Sequence, residues 1–267
     1  MTKNNEEGIN QRLFFETGWD DQELAKDYKT EIQNLSEMRN NLFKILSIIA
    51  EARDNQDYLR SKDFDGKEVV GLAVRNLEGK TVLDLGCGPG GDFEREILPA
   101  VKSLIAVDKS GGMLKLLKED EEIAKHKEKV LPVKGDVSLL PIAKNSVDVA
   151  VAAHLIHYLR SREEEDEFFS RVLSALKPGG YFIVNGVSNS ANQKVKKEFG
   201  RNRNEELSVY RRNSYRLKET YRDYVILDSE IVERLKELGF DCEIEVFFND
   251  ESKSHCAVKI IKKSNES

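Results

Sequence analysis

The sequence predicts a three-layer α/β sandwich built on a mostly parallel sheet, preceded by N-terminal helices. Three observations predict it. From Thr81 onward, short apolar, β-branched runs alternate with amphipathic stretches, the texture of buried parallel strands joined by helical crossovers. A glycine-rich turn follows the first of those runs directly, and two further strand-like runs close the chain around a turn.

Taken in order, residues 1 to 19 are polar and mixed. Residues 20 to 60 place Leu24, Tyr28, Ile32, Leu35, Leu42, Leu46 and Ile49 at helical spacing, which predicts one or two helices. Five strands then read as TVLDL (81–85), SLIAVD (103–108), KVLPVKGD (129–136), SVDVAVAA (146–153) and YFIVNGV (181–187). Between them SGGMLKLLKEDEEIAKH reads as one helix. SREEEDEFFSRVLSALKPGG reads as another, with Ser161 as cap, an acidic first turn and Pro178-Gly179-Gly180 as its end. Its EEEDE run reads as a solvated face. A polar stretch leads to a helix in LDSEIVERLKELGF that ends at Gly239, and CEIEVFF and HCAVKII then form an antiparallel pair across NDESKS. The expected organisation is an N-terminal helical lid or extension over 1–65 and one domain over 66–262, interrupted by an insertion at about 188–224.

The bulk numbers narrow the function classes. With 39% hydrophobic and 34% charged residues the chain has enough apolar content to fold on its own rather than stay disordered. A net charge of −6 argues against coating nucleic acid with the whole surface, because that mode rests on Lys and Arg neutralising phosphates. Cys87, Cys242 and Cys256 are odd in number, far apart and without CxxC spacing, so neither disulfides nor a metal site is expected. The first residues lack the apolar core of a signal peptide, and no run approaches the roughly 18 to 20 apolar residues of a membrane span. A soluble, cytoplasmic protein without a membrane partner is expected, with monomer and homodimer both open.

VLDLGCGPGGDF (82–93) puts a glycine-rich turn between a buried strand and a helix, where absent side chains let a ligand lie against the backbone. Gly86, Gly88 and Gly91 satisfy GxGxxG, a pattern that suits a nicotinamide or flavin dinucleotide equally well. The acidic residues separate the readings. A dinucleotide brings a pyrophosphate that wants bare amides, whereas S-adenosylmethionine brings a sulfonium and an ammonium that favour carboxylates. Asp84 precedes the loop and Asp92 follows it. Asp108 ends the second strand, where a carboxylate can accept both ribose hydroxyl hydrogens, and Asp136 ends the third, where it can hold an adenine amino edge while Val137 packs on the ring.

LDLGCGPGG, AVDKS, KGDV, VDVAVAAHLIHYL and LKPGGYFIV, in this order and spacing, resemble the successive motifs of class I S-adenosylmethionine-dependent methyltransferases over roughly residues 70 to 262. The resemblance implies a seven-stranded sheet with the last strand antiparallel, in agreement with the terminal pair read above. It implies S-adenosylmethionine as cofactor and S-adenosylhomocysteine as product. It also implies ligand roles for Asp84, Gly86, Gly88, Asp108, Asp136 and the turn after Ala153. Cys87, Lys109, Met113 and Val137 complete the candidate cofactor set.

The donor's methyl group is already activated by the sulfonium, so alignment and desolvation supply much of the catalysis. The acceptor must meet it near the carboxyl ends of strands four and five, which makes His154, His157 and Tyr158 the candidate acceptor-side residues. Trp19 and Tyr28 are candidate aromatic walls if the N-terminal helices form a lid. NLFKILSIIA is apolar almost all round, which suits burial against the domain or a partner subunit.

The remaining feature is the insertion. From Lys194 to Lys218 it holds nine Lys or Arg against three Glu, with Phe199, Tyr210 and Tyr215 interleaved. It reads either as a solvated helical excursion or as a basic arm for a phosphate-bearing acceptor. The leading expectation is methyl transfer to an N or O nucleophile of a small molecule. The alternative is an RNA methyltransferase, on a looser similarity to the messenger RNA cap guanine-N7 enzymes carried by GCGPGGDF, His157-Tyr158, LKPGGYFIV and Asn189-Ser190. Against it, Pro89 stands where that family has a lysine. A third reading is a protein that binds the cofactor without transferring its methyl group.

Overall fold

The computed structural model describes residues 25–26, 29, 45–50, 67–139, 142–153, 155–156, 159, 161–187, 209–214, 217–222, 230–250 and 255–263. The elements in chain order are α1 (Lys67–Asn76), β1 (Thr81–Leu85), α2 (Asp92–Ile97), β2 (Ser103–Asp108), α3 (Gly111–Glu119), α4 (Glu121–Ala124), β3 (Val130–Lys134), β4 (Val147–Ala152), α5 (Arg162–Ala175), β5 (Leu176–Val187), β6 (Val209–Ser214), β7 (Leu217–Arg222), α6 (Glu230–Glu237), β8 (Cys242–Asp250) and β9 (His255–Lys262).

Seven strands form one sheet in the order β3-β2-β1-β4-β5-β9-β8. The pairings β3 to β2, β2 to β1, β1 to β4 and β4 to β5 are parallel, and β9 runs antiparallel to both β5 and β8. The expected sheet, with its last strand reversed, is therefore the observed one. β1 lies inside the sheet, flanked on both sides, and its TVLDL run is buried from Val82 to Leu85. Strand order reverses around it: the chain steps outward from β1 to β2 and β3, then returns to β4 on the other side. In open α/β sheets that switch point, at the carboxyl ends of the strands, is where ligands bind.

Each face of the sheet carries its own core. One gathers Leu83, Leu85, Ala150, Phe182 and the side chains of α5 and α6, with Phe168, Phe169 and Phe182 packed edge to face at 5.5 to 5.9 Å between ring centres. The other gathers Val82, Leu104, Ala106, Val149, Val151 and Ile183 with residues of α1, α2, α3 and α4. Residues 45–49 are helical, and Ile45, Leu46, Ile48 and Ile49 are all buried within this second core. The described part of the all-round apolar stretch, 45–50, is thus covered by the domain. Alternation along each strand fixes the consequence for chemistry: Asp84 shares the parity of Val82, and Asp108 that of Leu104 and Ala106. Both therefore face the layer that holds α2.

Four local expectations are corrected. The helix read over 110–126 is two helices: Asp120 adopts an extended backbone (φ −68°, ψ 123°) and its carboxylate accepts from the Glu122 and Ile123 amides, capping α4. The EEEDE run is not wholly solvated, because Glu165 is fully buried and its carboxylate lies 3.6 Å from the Arg234 guanidinium of α6. Ser161 does cap α5, its hydroxyl accepting from the Glu164 amide at 3.1 Å. But Pro178-Gly179-Gly180 does not separate helix from strand: β5 starts at Leu176 and runs through it, with a register shift against β4 between Val147 and Val149. A Cβ on Gly180 would stand 2.8 Å from the Asp148 carbonyl oxygen, so that crossing needs glycine. Finally, the described part of the insertion is an antiparallel hairpin of β6 and β7 rather than a helix. No helix among the described residues is long and apolar enough to cross a membrane.

Candidate functional site

The loop after β1 turns on three glycines in the left-handed region, Gly86 (φ 73°), Gly88 (φ 58°) and Gly90 (φ 72°). The third turning glycine is Gly90, not the Gly91 of the GxGxxG register. Gly91 instead precedes α2 as its N-cap. Close approach matters as much as torsion. A Cβ on Gly86 would stand 2.9 Å from Leu155, and one on Gly90 only 2.6 Å from Ile123, whereas one on Gly88 would meet nothing within 4 Å. Gly86 and Gly90 are therefore packed from behind, and Gly88 opens onto free space.

Asp108 controls this loop. Its two carboxylate oxygens accept from the Gly88 amide and the Ser110 amide, each at 2.8 Å. Ser110 in turn caps α3, its hydroxyl accepting from the Met113 amide at 3.1 Å, and Met113 is buried against Ala25 and Leu116. At the neighbouring strand end, Asp136 accepts from the Ser138 amide (3.1 Å) and hydroxyl (2.7 Å), and Lys109 approaches its other oxygen at 3.5 Å. Burial acts to raise the Asp136 carboxyl, but the Ser138 bonds and Lys109 outweigh it and hold the group below the usual carboxylate value. Val137 beside it is buried, Lys109 is exposed, and Ala153 at the end of β4 packs on the second core.

Beneath the loop lies a second set of acids. Asp84 and Glu94 are both 4% exposed, and Asp84 Oδ2 has no hydrogen-bond partner among the described residues. Burial, then the facing Glu94 carboxylate and Asp108, push the Asp84 carboxyl well above its ordinary range. The same burial and the same three carboxylates raise the half-buried Cys87 thiol, which makes it a poor nucleophile. Glu94 also accepts the Gly91 amide at 2.7 Å, so it braces the loop from the first turn of α2.

The structure thus brings Asp84, Gly86, Cys87, Gly88, Asp108, Lys109, Met113, Asp136, Val137 and Ala153 to one end of the sheet, around the switch point. His154, His157 and Tyr158 lie outside the described residues, as do Trp19 and Tyr28. Glu94, Gly90, Ser110 and Leu155 belong to the same neighbourhood and were not singled out by sequence. For Glu94 and Ser110 a signal existed: Ser before GGMLK and Gly-x-x-Glu at 91–94 are both capping patterns.

Residues 83–184 match the family described as a methyltransferase domain. Over these residues the chain carries a methyltransferase domain. The chain is 26% identical over 162 residues to the biotin biosynthesis bifunctional protein BioHC of Teredinibacter turnerae, covering 58% of this chain and 28% of that protein. It is also 34% identical over 124 residues to an uncharacterised chloroplastic methyltransferase of Arabidopsis thaliana, covering 44% and 33%. The chain thus spans about a third or less of the length of these relatives. A solved S-adenosylmethionine-dependent methyltransferase from Methanosarcina mazei shares the fold with a TM-score of 0.56 at 20% identity, over 71% of this chain and 96% of that one. The cofactor of such a domain is S-adenosylmethionine, and the acids around the loop fit it: an unpartnered buried carboxylate oxygen suits a cation, and Gly88 leaves room beside it.

Proposed function

We propose that this chain transfers the methyl group of S-adenosylmethionine to a nitrogen or oxygen nucleophile of a small-molecule acceptor. The observation that carries the reading is the pairing of an open glycine loop with carboxylates at three adjacent strand ends. When bound, S-adenosylmethionine supplies an electrophilic methyl carbon on a sulfonium. Asp84 faces the cationic amino acid end, Asp108 takes the ribose hydroxyls, and Asp136 with Val137 holds the adenine. Met113 closes the adenine side, and Cys87, Gly86, Gly88 and Ala153 line the backbone track. Lys109 neutralises Asp136 at the rim.

These residues bind and orient. His154, His157 and Tyr158, which follow β4 directly in sequence, are the acceptor-side groups, where an imidazole can take the proton an N–H or O–H nucleophile must lose. Residues 1–65 act as an extension that covers the cofactor, tied to the domain through Lys29. The place of one relative, BioHC, in biotin biosynthesis supports a small molecule rather than a polymer as acceptor. The test is release of S-adenosylhomocysteine from labelled cofactor across a panel of small acceptors with free carboxyl, hydroxyl or amino groups. Turnover with one of them supports the reading. Cofactor binding with no turnover on any acceptor, capped RNA included, points to the non-catalytic alternative.

A further inference from the structure

We propose that Glu94 is a positioning residue for the cofactor: it crowds Asp84 in one buried acidic site, so that the Asp84 carboxyl holds its proton in the free chain and surrenders it when the ammonium of the ligand arrives. The inference rests on the reading that the glycine loop holds S-adenosylmethionine. It begins from burial. Asp84 on β1 and Glu94 on α2 are each 4% exposed and face the same layer. Two ionised carboxylates in one buried place repel strongly, and a single proton on Asp84 removes most of that cost.

The partners are then counted. Glu94 Oε2 is committed to the Gly91 amide at 2.7 Å, while Asp84 Oδ2 has no hydrogen-bond partner among the described residues. Among the described residues, the charged groups that bear on Asp84 are Glu94 from α2 and Asp108 from the end of β2, both acidic, with the Cys87 thiol beside them in the loop. Nothing in that set compensates a second negative charge; a bound ammonium does. On binding, the Asp84 O–H bond breaks, the proton passes to solvent, and the site changes from one negative charge to two. The cation supplies the balance. Glu94 acts through Asp84 and through the loop it braces, and sits where an acidic first helical turn would ordinarily be solvated.

Titration calorimetry of the full chain with S-adenosylmethionine, in buffers of unlike ionisation enthalpy, reads the protons released per ligand bound. The comparison is Glu94→Gln, which keeps an acceptor for the Gly91 amide and offers Asp84 an amide donor. The cofactor's own amino ionisation is common to both proteins and cancels. The wild type is expected to release up to about one more proton than the variant, and to lose affinity more steeply than the variant as pH falls, by up to about tenfold per pH unit. Equal proton counts in two proteins that both bind cofactor overturn the proposal and leave the cofactor site standing. If Glu94→Gln does not fold, the wild type decides alone: binding with no proton released beyond the ligand's own amino ionisation overturns it. A wild type that shows no cofactor binding by equilibrium dialysis overturns the site reading and this proposal together.

Discussion

The Gly88 amide donates to Asp108 Oδ2 at 2.8 Å, and this bond fastens the open point of the glycine loop to the end of β2. The carboxylate assigned to the ribose is therefore also the strut of the loop. Asp108→Ala is expected to weaken S-adenosylmethionine by about 1.5 to 3 kcal/mol, the range for hydrogen bonds to a charged group. Calorimetry on the folded variant checks this. An unchanged affinity would give the ribose to another residue.

Gly88 and Gly90 should separate binding from stability. Both have positive φ, so an alanine costs about 1 to 2 kcal/mol at either site. At Gly90 the new Cβ would also stand 2.6 Å from Ile123, and overpacking adds about 1 to 3 kcal/mol. Gly90→Ala should therefore show the larger loss in urea unfolding. Gly88→Ala should unfold closer to wild type yet lose far more cofactor affinity, because its methyl group fills the free side of the loop.

Asp120 joins three elements: its carboxylate meets Arg95 of α2 at 2.6 Å, Lys29 at 3.1 Å, and the amides of α4. Burial acts to raise this carboxyl, but the Arg95 and Lys29 bonds prevail and hold it well below the usual range. A carboxyl depressed on folding stabilises at pH above its unfolded value near 4, and that contribution fades as pH drops through the lower folded value. Asp120→Asn should cost about 2 kcal/mol at neutral pH. The gap between variant and wild type should narrow in urea melts taken progressively below pH of about 4.

Lys29 and Ala25 reach the domain at α3, where Ala25 packs on the buried Met113. If residues 20 to 60 cover the cofactor, amide exchange in that segment should slow when S-adenosylmethionine is added. Equal exchange with and without ligand would make the segment a fixed structural element.

The strands were legible because β1, β2 and β4 are covered on both faces and so spell continuous apolar, β-branched runs. The acids at their ends were legible because strand ends and glycine loops fall at fixed spacing. Other features depend on partners that local sequence does not show. Glu165 reads as one more solvated glutamate until Arg234, far along the chain, comes to lie beside it. Glu94 reads as an ordinary first-turn acid until β1 places Asp84 beneath it. β6 and β7 lack the apolar alternation that marks a half-buried strand, so the hairpin hid inside a basic, polar stretch. The break at Asp120 was visible as an Asp-Glu-Glu cap, but helix formers on both sides masked it.

The basic hairpin region gives the acceptor class its own test. Changing Arg211, Arg212 and Arg216 together to Gln should leave S-adenosylmethionine affinity intact, and the parent chain should show no binding of a short capped RNA at low salt. RNA binding that weakens with salt at a slope of about −0.7 per neutralised phosphate, flattened by the triple change, would instead make the insertion an RNA-recognition arm.

The most direct test of the central claim is a calorimetric titration of the unmodified chain with S-adenosylmethionine, S-adenosylhomocysteine and NAD in turn. Carboxylates at Asp84, Asp108 and Asp136 around the open face of Gly88 predict that both adenosyl compounds bind and that NAD, with its pyrophosphate, binds much more weakly. Tighter binding of NAD than of S-adenosylmethionine would contradict the account.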